Sequence, residues 1–202
     1  MSLKPMSGPQ RRRGRALEEA LLDAVWAELS EHGYDELTFD GVATRAGTSR
    51  AVLYRRWPRK PDLVHAALMS EVGRGVITTP DTGTLRGDVI GLLRQANEKR
   101  VRLATLLVSR MGDFYREADI NLAELSALAQ GGRDSVLDEA IQRAIARGEI
   151  QAEHVTERIA RLPIDLFRNE LIFTLRPVPD ETILEIVDTI FLPLVSGGCQ
   201  TE

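Results

Sequence analysis

The stretch that most constrains this 202-residue chain runs from Thr38 to Lys60. Thr38 carries a hydroxyl that can cap a helix, and Val42, Ala43 and Ala46 follow as the inward positions of a segment from about Phe39 to Ala46. Gly47 then supplies a turn, where a backbone of positive φ is easiest for glycine. Thr48 or Ser49 caps a second short helix that runs to about Trp57, and Pro58 ends it. Small side chains at Ala43 and Ala46 let the two helices cross closely, while Leu53 and Trp57, four apart, turn inward. Two short helices about a glycine turn read as a helix-turn-helix, which needs further helices to cover its inner face.

The outer face of the second helix carries Ser49, Arg50, Val52 and Arg56. A helix of this kind fits the major groove of DNA, where an arginine takes a guanine bidentately and an apolar side chain meets a thymine methyl. The net charge of −4 opposes such a role only if it is evenly spread. Residues 1–65 hold eleven basic against nine acidic side chains, and the remainder holds fifteen against twenty-one. Residues 41–60 carry six cations (Arg45, Arg50, Arg55, Arg56, Arg59, Lys60) and no acid. Phosphate attraction follows such local clusters. Residues 1–17 add Lys4, Arg11, Arg12, Arg13 and Arg15, and residues 1–14 read as a flexible basic arm.

The run Phe39-Asp40-Gly41-Val42-Ala43, then Ala46-Gly47-Thr48-Ser49, then Leu53-Tyr54-Arg55-Arg56-Trp57-Pro58-Arg59-Lys60 and Leu63 resembles the DNA-binding domain of tetracycline-repressor-like (TetR) regulators. The resemblance spans residues 12–65. It implies an all-α homodimer with an N-terminal DNA-binding head and a larger helical domain that binds a small effector. Carried across residue by residue, it assigns Thr48, Ser49, Arg50, Ala51 and Val52 to the base-facing edge. Tyr54, Arg55, Arg56 and Lys60 become phosphate or flanking contacts, and Trp57 a core aromatic; Arg45, one of the six cations, is a further DNA-binding candidate. Thr48 stands where the family often has valine, and Val52 where it often has threonine, so no known operator transfers.

The remainder reads as helix throughout, giving an all-α chain of about nine helices. Leu17, Leu21, Ala24, Val25 and Leu29 mark a first helix over 16–32, which Gly33 stops. Lys60-Pro61-Asp62 starts a fourth helix. Gly73, Gly75, Pro80 and Gly83 mark a joint. The boundaries expected are a head over 15–65 and an effector and dimerisation domain over 66–202. Further segments are expected from Thr84, over about 100–111, and over about 115–147 with a break at Gly131-Gly132. Residues 155–175, with Pro163 as a candidate kink, and a helix from Asp180 are the most apolar. Phe167, Leu171, Ile183, Val187, Ile190, Phe191 and Leu194 form a stripe so wide that a second copy is expected against it.

Met111, Phe114 and Tyr115, with Arg168, are the candidates for an effector pocket. His32, His65 and His154 lack a second ligand at helical spacing, so no metal is expected. The lone Cys199 excludes an intrachain disulfide and fits a cytoplasmic location. No segment approaches the roughly 18 apolar residues of a membrane span. Nothing in the spacing suggests a cofactor or a catalytic set. The rival readings are a helical enzyme, or a protein-interaction module, with a coincidental basic motif.

Overall fold

The computed structural model describes residues 9–124 and 136–197, with side chains from Gly14 onward. Residues 1–8, the expected break at Gly131-Gly132, and Cys199 lie outside the described residues. The helices, in chain order, are α1 (Pro9–Glu36), α2 (Phe39–Arg45), α3 (Arg50–Arg56), α4 (Lys60–Arg74), α5 (Leu85–Ser109), α6 (Phe114–Ala118), α7 (Val136–Ala146) and α8 (Glu157–Thr174). The last, α9 (180–195), is helical over Asp180–Leu184, widens into π-type turns over Glu185–Phe191, and closes as α-helix over Leu192–Val195. Among the described residues there is no strand. No described helix is long and apolar enough to cross a membrane.

Two differences from the sequence expectations have simple causes. Helix α1 begins at Pro9, so residues 9–14 are helical rather than part of an arm. Proline suits the first helical position, and arginine is a good helix former. Helix α5 is continuous where two segments were expected; no glycine or proline lies between Gly91 and Gly112 to divide it. Helix α8 passes through Pro163 without ending.

The chain divides into two compact units. The N-terminal unit runs through Arg74 and adds Ser109–Leu122. In it, α1 packs on α2 and α4, α2 on α3, and α4 on α6. Leu21, Val25, Leu29, Val42, Leu53, Leu63, Val64 and Leu68 are buried at its centre. Gly33 (φ 81°, ψ 178°) bends α1 near its end, so that Tyr34 turns inward and its N–H donates to the Arg110 carbonyl at 2.7 Å. Gly112 and Asp113 lie against Asp35, which accepts from the Asp113 N–H at 3.1 Å.

The C-terminal unit contains the rest. Its core joins one face each of α5, α7, α8 and α9, including Leu85, Leu93, Ile141, Phe167, Leu171, Ile183, Val187 and Phe191. The start of α5 is held by charge as well as by apolar contact. Asp88 is fully buried and accepts from the Thr82 N–H (2.7 Å) and hydroxyl (2.8 Å). Arg143 of α7 donates to it at 3.4 Å, and Glu149 accepts from the Leu85 N–H at 2.7 Å. Paired in this way, a buried carboxylate fixes one arrangement of the elements around it.

Candidate nucleic-acid interface

The turn between α2 and α3 is built by short-range bonds. Thr38 accepts from the Gly41 N–H at 3.0 Å and caps α2. At the other end, Gly47 takes φ 63°, and the Thr48 N–H donates to the Ala43 carbonyl at 2.9 Å. Ser49 stands at the start of α3 in extended backbone, and its hydroxyl makes no capping bond. Leu53 is the one fully buried residue of α3. Seated by Leu53, the helix turns Ser49, Arg50, Ala51, Tyr54 and Arg55 to solvent, with Thr48 and Val52 half-buried.

The cations of the acid-free run divide by what they touch. Arg45 donates from Nε to Glu28 at 2.6 Å and from Nη1 to Glu31 at 2.9 Å, tying α2 to α1. The Glu31 and Glu28 bonds hold its guanidinium above the usual range. Arg56 donates to Glu18 of α1 at 2.8 Å. Arg59 meets both oxygens of Asp62, at 3.0 and 2.7 Å, and that pair holds the Asp62 carboxyl below its usual range. Lys60 lies over the Tyr34 ring at 4.3 Å and donates to the Asp35 carbonyl at 3.2 Å. Arg50 donates to Asp40 at 3.1 Å and lies 5.1 Å from the centre of the Tyr54 ring. Arg55 takes part in none of these pairs. The six cations of the run therefore differ in availability, although the sequence shows them alike.

Other expected site residues fall as follows. Met111 and Phe114 are buried inside the N-terminal unit, where Phe114 meets Tyr34 edge-on at 5.4 Å. Tyr115 is half-buried beside Phe114, and burial pushes its phenol up to about 12. Arg168 pairs with Asp165 at 3.4 Å on α8. Phe167, Leu171, Ile183, Val187 and Phe191 lie in the C-terminal unit's own core. Ile190 and Leu194 stay partly exposed.

Several contacts escaped the sequence reading. One is the stack of Phe39 on Tyr54, with centroids 4.2 Å apart and planes within 8°. Another is the Tyr34 hydroxyl donating to Glu117 at 2.5 Å. Burial first, and that bond second, push the Tyr34 phenol well above its ordinary value. The acids that answer the arginines had no signal either, because Glu18, Glu28, Glu31, Asp40 and Asp62 all lie outside residues 41–60.

Residues 21–67 match the family described as bacterial regulatory proteins, tetR family. Residues 79–190 match the tetracyclin repressor-like C-terminal domain. The chain belongs to the tetR family. An uncharacterized HTH-type transcriptional regulator of Mycobacterium tuberculosis is 33% identical over 184 residues, 87% of this chain and 86% of its own. The DNA-binding transcriptional repressor TetR of Mycobacteroides abscessus is 29% identical over 189 residues, 93% and 98% of the two chains. A tetR-family transcriptional regulator from Streptomyces coelicolor shares the fold with a TM-score of 0.65 at 20% identity, over 91% of this chain and 83% of that one. This TetR-family chain is a DNA-binding transcriptional regulator and not an enzyme.

Proposed function

We propose that this TetR-family regulator is a cytoplasmic homodimeric repressor that leaves a pseudo-palindromic operator when a small molecule binds its C-terminal unit. The observation that carries the DNA-reading part is the exposure of α3. Only Leu53 is fully buried, and the edge from Ser49 to Ala51 is left outward within a run of cations. In a dimer, two such helices enter successive major grooves about 34–36 Å apart. Thr48 to Val52 read bases; Tyr54, Arg55 and Lys60 meet phosphates. Arg45 and Arg56, already held by α1 carboxylates, orient the head instead.

Support for self-association comes from the C-terminal helices. Phe173 on α8 is 83% exposed, and Leu166, seven residues earlier on the same face, is partly exposed while also packing against the core. Ile190 and Leu194 form a partly exposed pair on α9. Those four, rather than the buried stripe, are the contacts a second copy would use. Of the expected pocket residues, Arg168 stays with the effector unit in this reading, whereas Met111 and Phe114 serve the head's packing. The test is footprinting of the purified protein on DNA upstream of its own gene, with the mass measured by light scattering. A symmetric footprint and a dimer mass that Phe173→Asp halves are expected. A monomeric wild type, or no protected sequence, would overturn the reading.

A further inference from the structure

Asp40 is the one acid that faces the reading edge from α2, and no DNA contact is assigned to it. Its Oδ2 accepts from Arg50 Nη1 at 3.1 Å. On the opposite side, the Tyr54 hydroxyl lies 3.5 Å from Arg50 Nη2, and the guanidinium carbon sits 5.1 Å from the ring centre. Tyr54 is in turn fixed by its stack on Phe39, the neighbour of Asp40. Two consecutive residues of α2 thus hold two residues of α3 that stand one helical turn apart. The Asp40 charge is the first cause of the raised Arg50 guanidinium, ahead of Tyr54.

We propose that Asp40 is a specificity-determining positioning residue, which fixes the Arg50 guanidinium in one orientation toward a single base pair. The proposal rests on the reading that α3 faces DNA. Stability is a poor explanation for this pair: the side chains are 55% and 70% exposed, and exposed ion pairs contribute little. Orientation is a better one. An arginine side chain has large rotamer freedom, and bidentate guanine recognition needs its planar fork aimed in one direction. With Asp40 and Tyr54 each accepting from one terminal nitrogen, the remaining N–H groups can be presented in a fixed array. The carboxylate also repels DNA of every sequence, since it stands exposed beside Arg50 on the edge that faces the DNA. These two actions have opposite signs, and a folding defect would produce neither combination.

The test uses the full chain and a pool of duplexes with a randomised centre. The site the wild type selects is compared, at one salt concentration, with single base-pair variants and with unselected duplex. Removing the carboxylate (Asp40→Ala) should strengthen binding to unselected duplex about twofold to threefold, as expected for one like charge lost near the backbone. The same variant should lose about tenfold of discrimination at one base pair, within the range a bidentate contact supplies. Asp40→Asn, which keeps the shape, should give the same signs with a smaller loss of discrimination. In an Arg50→Ala background, Asp40→Ala should still raise binding to unselected duplex and should change discrimination no further. Unchanged discrimination in Asp40→Ala, an equal loss at every position, or a further loss in the Arg50→Ala background would each overturn the proposal. A wild type that selects no sequence would overturn the reading of α3 itself, a separate result.

Discussion

Replacing Gly33 with alanine tests how the end of α1 is fixed. Gly33 has φ 81° and ψ 178°, a region essentially reserved for glycine, and forcing a side chain there costs about 1–3 kcal/mol. An added Cβ would lie 3.1 Å from the Arg110 carbonyl oxygen, a rigid backbone neighbour. That oxygen accepts from the Tyr34 N–H, so pushing it away weakens a bond worth about 1 kcal/mol. The sum is about 2–4 kcal/mol, a large share of the roughly 5–15 kcal/mol typical of a folded domain. Gly47→Ala is the control: it also sits at positive φ (63°), but nothing lies within 4 Å of an added Cβ. Its cost should be about 1 kcal/mol. Urea unfolding followed by tryptophan fluorescence reports directly, because Trp26 and Trp57 both lie in the N-terminal unit. If Gly33→Ala costs no more than Gly47→Ala, the close approach of Arg110 has no energetic weight and the reasoning fails.

Three further outcomes are expected. Asp88→Ala should destabilise the C-terminal unit by about 2–3 kcal/mol in urea, because the Thr82 N–H and hydroxyl lose their charged acceptor while Arg143 keeps Glu139; a loss below about 1 kcal/mol would count against those bonds. The raised phenols of Tyr34 and Tyr115 predict an alkaline limit. The unfolded chain ionises first, so their contribution is complete below about pH 10 and is lost as pH rises beyond it; Tyr34→Phe should flatten the alkaline limb of a stability profile, and an unchanged limb would contradict this. Glu18→Ala frees Arg56 and should steepen the plot of log affinity against log salt by about one unit per head, whereas an identical slope would contradict the reading that Glu18 holds Arg56 from phosphate.

The head was legible in the sequence because its determinants are local. The Thr38 cap, the positive φ of Gly47 and the inward Leu53 each depend on neighbours within a few residues. The ion pairs were not legible, because Glu18 and Arg56 are 38 positions apart, and only the packing of α1 on its neighbours brings such partners together. The stripe on α8 and α9 carried a different ambiguity. Hydrophobic width reports that a face is covered, not by what; Val187 and Phe191 are covered by the chain itself. Met111 and Phe114 carry the same ambiguity, since a Met-aromatic cluster looks alike in a pocket wall and in a core.

The N-terminal unit is discontinuous: Phe114 and Arg110 complete a structure whose other parts end at Arg74. During synthesis the head therefore emerges unfinished. Tyr34 and its neighbours stay partly uncovered until α5 and the segment behind it have left the ribosome. A protein cut within α5 would keep every residue of the helix-turn-helix and still lack what closes Tyr34 against solvent.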